Sequence, residues 1–186
     1  IFYRFCQKAA NQPDKEFFFI IDEINRGNMS KIFGELLMLI EKDYRGTKAT
    51  LAYNGLSFSV PKNLYIIGMM NTADRSLAMI DYALRRRFSF FEVEPGFDSE
   101  GFIHYQNGLN NETLNELVNK VKDLNREISL DKSLGKGFCI GHSYFCGRDG
   151  CTEEWLHSIV DYDILPMLSE YWFDDANKLQ RWENIL

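Results

Sequence analysis

Apolar and polar positions follow two different rhythms along this chain. Phe17-Phe18-Phe19-Ile20-Ile21 is an unbroken apolar run ending in Asp22-Glu23, the profile of a buried parallel strand. Ser30 can cap a helix running to about Lys42, in which Ile32, Phe33, Leu36, Leu37, Leu39 and Ile40 are spaced for burial. Thr50 to Val60 alternates around Asn54-Gly55, a hairpin signal. Leu64 to Met70 reads as a second buried strand, Asp81 to Arg86 as a short helix and Phe88 to Val93 as a third strand. This order predicts an α/β fold with a parallel sheet. After Pro95-Gly96-Phe97 the rhythm becomes helical. Leu114, Leu117, Val118, Val121, Leu124 and Ile128 share one face of a helix that Asn111 and Glu112 are suited to start. Further helix is expected over Trp155–Leu168 and Tyr171–Trp182, interrupted near Pro166.

Charge sharpens this division. The 186 residues carry a net charge of −6, split as +2 over residues 1–97 and −8 over residues 98–186. Two units are therefore expected, an α/β core over 1–97 and a small all-α domain over 98–186. A globally basic nucleic-acid binder is excluded. Hydrophobic residues make up 45% of the chain, enough for packed cores, yet no apolar run approaches the ~18 residues of a membrane span. The first residue is Ile1 rather than Met, so a piece of a longer protein is expected. Four cysteines are too sparse for a disulfide scaffold, and reduced thiols in a cytoplasmic protein are the expectation. Cys139, His142, Cys146 and Cys151 have ligand types that zinc accepts, but their C-x2-H-x3-C-x4-C spacing is not a common zinc pattern, and buried or idle thiols are favoured.

Three clusters can carry chemistry. Phe19-Ile20-Ile21-Asp22-Glu23 has the Walker B form: a rigid strand delivers two carboxylates to the carboxyl edge of a sheet, where ligands bind. Asp22 there can hold a magnesium ion through its water shell, and Glu23 can polarise an attacking water. Met70-Asn71-Thr72-Ala73-Asp74-Arg75-Ser76 follows the second strand, where Asn71 can orient water or touch a γ-phosphate. Leu84-Arg85-Arg86-Arg87-Phe88 concentrates positive charge before an apolar strand, a poor core and a good anion clamp.

In this order the three clusters resemble AAA+ nucleotide hydrolases, and the wording is closest to the McrB-type GTPase subunits of methylcytosine-dependent restriction systems. Ile21-Asp22-Glu23-Ile24-Asn25-Arg26-Gly27-Asn28, Phe33-Gly34-Glu35-Leu36-Leu37, the Met70–Ser76 and Leu84–Phe88 segments, Gly135-Lys136-Gly137-Phe138, Ile140–Phe145 and Phe173-Asp174-Asp175 carry the likeness. The resemblance implies a partial AAA+ core followed by a helical lid. It implies Asp22 as the Mg2+ ligand, Glu23 as the water-activating base and Asn71 as sensor 1. Asp74, in the sensor segment, is carried as a nucleotide-binding residue, although a strand-tip sensor sees phosphate and gives no account of guanine preference. Arg86 and Arg87, with Arg87 first, are the candidates for an arginine supplied to a neighbouring subunit. His142 and Ser143 lie where a lid residue could sense nucleotide, but Cys139 stands where the family often has a basic residue. Asn25 and Arg26 are expected to meet neighbouring subunits or a nuclease partner. GTP, with ATP as the alternative, a hexameric ring, an McrC-like nuclease subunit and DNA read by an upstream domain complete the implied system. A MoxR-like or dynein-related ATPase that remodels proteins, or a non-hydrolysing assembly module, are the competing readings.

The phosphate loop G-x-x-x-x-G-K-[ST] does not occur among the 186 residues. With AAA+ strand order 5-1-4-3-2, the sheet should therefore show a gap between the Leu64–Met70 strand and the Phe88–Val93 strand. The chain alone is expected to hydrolyse no GTP.

Overall fold

The computed structural model describes residues 1–52, 55–73, 82–147 and 151–186. They form two compact units, Ile1–Phe91 and Glu92–Leu186. The division falls ahead of the expected point after Phe97, because Phe97 is buried in the core of the second unit.

The first unit is mixed α/β. Helix α1 (Phe2–Ala10) precedes strand β1 (Phe17–Ile21) and helix α2 (Met29–Phe33). The short strands β2 (Ala49–Thr50) and β3 (Ser57–Phe58), then strand β4 (Leu64–Gly68) and helix α3 (Tyr82–Arg85), complete it. Strands β1 and β4 pair in parallel, Phe17 opposite Leu64 through Ile21 opposite Gly68. The Asn63 side-chain amide donates to the carbonyls of Ala9, Gln12 and Lys15, at 3.0, 3.0 and 2.8 Å. It fastens the exit of α1 to the start of both strands.

Only one face of this sheet is covered. Phe2 and Phe5 of α1 meet Phe19 edge-on or tilted, with ring centroids 5.0 and 5.4 Å apart. The alternate residues Phe18, Ile20, Tyr65 and Ile67 are exposed, Ile20 to 59%. The expectation of fully buried strands is thus corrected: α1 occupies one face, and the described residues supply no second layer.

Three further expectations change. The helix expected from Ser30 to Lys42 is capped two residues earlier and ends sooner: Asn28 Oδ1 accepts from Lys31 N–H at 2.9 Å, and Gly34, at φ +51°, closes α2 after Phe33. A 3-10 helix then runs over Gly34–Ile40 and buries Leu37, Leu39 and Ile40. Phe88 to Val93 forms no strand, and Phe91 and Val93 are 89% and 85% exposed. A strand needs a hydrogen-bonding neighbour, and no described strand pairs with this segment. Among the described residues no ladder joins it to β4, and with no strand here the expected gap between two strands does not arise. The hairpin does form, Ala49 opposite Phe58 and Thr50 opposite Ser57. Its Asn54, and the expected helix start at Asp81, lie outside the described residues.

The second unit is helical: α4 (Glu100–Leu109), α5 (Glu112–Leu130), α6 (Glu153–Ile159), α7 (Leu165–Tyr171) and α8 (Ala176–Ile185). Side-chain caps start four of them: Ser99, Asn111, Thr152 and Asp175 each accept a backbone N–H of the first turn. The six predicted apolar residues of α5 are all buried, around Phe145, Ile164 and Leu168. Pro166 does not interrupt the helix. A π turn over Val160–Ile164 widens it ahead of the proline, where a regular turn would press the ring on the residue 162 carbonyl. The break comes instead at Trp172, before Asp175 caps α8. No described helix is long and apolar enough to cross a membrane.

Candidate functional site

Backbone pairing continues past both strand ends and builds the site. Met69 N–H donates to the Ile21 carbonyl at 2.8 Å, and Ile24 N–H donates to the Met69 carbonyl at 2.9 Å. The turn after β1 is thereby stitched to the tip of β4. Ile24 is buried and lies across Gly68, where an added Cβ would stand 2.7 Å from Ile24 Cδ1. Gly68 is thus a close-approach glycine, the usual meaning of glycine within a strand. Sequence reasoning passed over this Ile24–Gly68 contact, although the glycine was its signal.

Seated on that contact, Asp22 and Glu23 are both exposed at the carboxyl edge. Asp22 Oδ1 accepts from Glu23 N–H at 2.9 Å. Glu23 takes φ +50°, a left-handed conformation that side chains other than glycine rarely hold and that clusters at functional sites. Its carbonyl accepts from Arg26 N–H at 2.8 Å, and its Oε2 lies 2.8 Å from Arg26 Nε. Asn25 Nδ2 donates to the Asn71 carbonyl at 3.4 Å. Asn71 Oδ1 accepts from Ala73 N–H at 2.9 Å, which closes a tight turn and orients the amide. The structure therefore brings together Asp22, Glu23, Asn25, Arg26 and Asn71 on two adjacent parallel strand tips. Asp74 lies outside the described residues.

The arginines separate. Arg85 lies 5.9 Å from the Phe90 ring centroid, and Arg86 is exposed. Arg87 is only 8% exposed, and its Nε is 2.7 Å from Glu41 Oε1. This pairing with Glu41, within the same unit, was not read from the sequence.

In the second unit His142 Nδ1 accepts from Gly96 N–H at 2.9 Å, so this nitrogen carries no proton. The ring stands edge-on to Phe102 and Phe97, with centroids 5.6 and 6.2 Å away. His142 is thus engaged in holding the start of its own unit, whereas Ser143 is exposed. Cys139 Sγ donates to the Asn125 carbonyl and Cys146 Sγ to the His142 carbonyl, and burial raises both thiols above the ordinary range. Among the described residues no three His, Cys, Asp or Glu side chains gather closely enough to hold a metal. Such a cage is not needed for Mg2+, which takes one or two carboxylates together with phosphate oxygens and water. The exposed Asp22 carboxylate, with only Oδ1 engaged by the turn, suits that mode.

A parallel-strand edge with this carboxylate pair and amide, followed by a helical unit, is consistent with the AAA+ class, and the family comparisons assign the chain to it. Residues 2–88 match the family model described as AAA domain (dynein-related subfamily), and residues 116–180 match McrB, alpha-helical lid domain. The whole chain aligns at 53% identity with the type IV methyl-directed restriction enzyme EcoKMcrB subunit of Escherichia coli (strain K12), covering 43% of that protein. A second relative, the type II restriction enzyme BsuMI component YdiS of Bacillus subtilis (strain 168), is 32% identical over 47% of this chain and 29% of its own length. The chain belongs to the McrB-type family of AAA+ proteins. It spans less than half the length of these curated relatives.

Proposed function

We propose that this chain is the C-terminal part of a GTP-hydrolysing motor subunit of a modification-dependent restriction endonuclease. The observation that carries the reading is the joining of Asp22, Glu23 and Asn71 on adjacent strand tips by the Asn25–Asn71 hydrogen bond. Bound Mg2+ would neutralise charge on the phosphates, and Asp22 is the residue that would hold it. Glu23 takes up the proton of the attacking water. Asn71, its Oδ1 committed to its own turn, offers its Nδ2 to a phosphate oxygen or the water. Arg86, exposed, is the better-placed arginine for a neighbouring subunit. Arg87, paired with Glu41, holds α3 in place from within. His142 anchors the lid, which leaves Ser143 as the nearer candidate for nucleotide.

The phosphate cradle belongs to a segment outside these residues, so the chain by itself is inactive in this reading. The complete protein works in the cytoplasm as a ring, proposed to be hexameric, with an McrC-like nuclease and an upstream DNA-reading domain. ATP in place of GTP is the second reading, favoured by the match to a dynein-related AAA model. Turnover of Mg·GTP and Mg·ATP by the complete protein tests the proposal. A clear GTP preference supports it, while ATP turnover alone moves the chain to the protein-remodelling branch.

A further inference from the structure

We propose that Arg26 restrains the Glu23 carboxylate and keeps unstimulated hydrolysis low until their ion pair opens. This inference rests on the hydrolytic reading of Glu23 above. A hydrogen bond and an ion pair link the same two residues: Arg26 N–H donates to the Glu23 carbonyl, and Arg26 Nε faces Glu23 Oε2, each at 2.8 Å. The hydrogen bond fixes where the arginine stands, and the ion pair fixes where the carboxylate points.

The turn that carries them cannot drift. Upstream, Ile24 is seated on Gly68 and bonded to Met69. Downstream, Gly27 approaches Ile32 so closely that a Cβ would lie 2.8 Å from its Cδ1, and Asn28 caps α2. Glu23 is also held at φ +50°, so its side chain leaves the backbone in an uncommon direction.

A base must offer a carboxylate lone pair to a water proton. An oxygen already paired with a guanidinium is a poorer acceptor, and a carboxylate drawn toward Arg26 is drawn along the turn rather than out over the edge. The side chains are 55% and 50% exposed, so the pair is weak enough to open and is screened by salt. Arg26 is in this sense a positioning residue, acting through Glu23. Any anionic group that captures the guanidinium releases the base.

The test uses the complete protein without its nuclease partner, comparing wild type, Arg26→Ala and Arg26→Lys under Mg·GTP. Arg26→Ala should raise kcat about 2- to 5-fold with KM little changed, the range an exposed pair supports. Arg26→Lys should fall between the two. The ratio of Arg26→Ala to wild type should shrink toward one as salt rises, an effect that simple damage to the turn would not produce. In a Glu23→Gln background, Arg26→Ala should change nothing. Unchanged or lower kcat in Arg26→Ala, or a ratio indifferent to salt, overturns the restraint while leaving the hydrolytic reading intact. Full activity of Glu23→Gln overturns the hydrolytic reading itself, and the restraint with it.

Discussion

Replacing Gly68 with alanine places a methyl group 2.7 Å from Ile24 Cδ1 and 3.3 Å from its Cγ2. Ile24 is only 5% exposed and its backbone is bonded to Met69, so the side chain has little room to withdraw. Overpacking of this kind costs about 1–3 kcal/mol. Ile24→Val alone deletes the Cδ1 methyl and costs about 0.5–1.5 kcal/mol. If the contact is as described, the two changes compensate. The double variant should be more stable than the sum of the single losses by about 1 kcal/mol or more, a coupling expected only of touching residues. The assay must see the first unit. All three tryptophans, Trp155, Trp172 and Trp182, lie in the second, so their fluorescence is silent on this pair. Hydrogen exchange of the β1 and β4 amides across a urea series reads it directly. The same double variant should recover much of the GTP turnover that Gly68→Ala loses, since the turn carrying Asp22 and Glu23 returns to its place. Strict additivity of the single effects would refute the claim that Ile24 on Gly68 seats the catalytic turn.

Other expectations follow from the same geometry. Asp131 accepts from Lys178 Nζ at 2.8 Å, from Ser133, and from the indole N–H of buried Trp172 at 3.2 Å, and these bonds hold its carboxyl well below the usual carboxylate range. A carboxyl lowered in the folded state stabilises it above the unfolded value near pH 4, so tryptophan-monitored stability should fall as pH drops below about 4. Asp131→Asn should flatten that fall and cost about 2 kcal/mol at neutral pH. Arg86→Ala should lower hydrolysis by the complete ring about 1,000-fold or more without altering its melting temperature. Arg87→Ala should also lower the melting temperature, because its Glu41 partner is left alone. Burial pushes the Cys6 thiol up to about 11, so at pH 8 alkylation of Cys6 should require unfolding, as mass mapping can show.

Where one chain segment determined its own geometry, the sequence was enough. The apolar stripe of α5 and its Asn111 cap are local features, and both appear as read. The apolar strand ending in Asp22-Glu23 and the Asn71 turn after the second strand also lie where they were read; such a run is common by itself, and it was its company with the Asn71 and arginine segments that pointed to a site. What failed was decided elsewhere in the chain. Phe88 to Val93 has a strand's composition but no neighbour to bond, and Phe18 and Ile20 look like core residues yet face outward for want of a covering layer. The helix read through Gly34 and the break read at Pro166 were both settled by the surrounding backbone, which spends Gly34's left-handed freedom on an ending and absorbs the proline in a π turn. Arg86 and Arg87 are adjacent and chemically identical in sequence. The pairing of Arg87 with Glu41, 46 residues earlier, distinguishes them.

The central claim is that the edge formed by Asp22, Glu23 and Asn71 hydrolyses the nucleotide. Single-turnover cleavage of Mg·GTP by the complete protein carrying Glu23→Gln, at saturating nucleotide, tests it most directly. The account predicts retained nucleotide binding with cleavage slowed about 100-fold or more. Cleavage at the wild-type rate would contradict it.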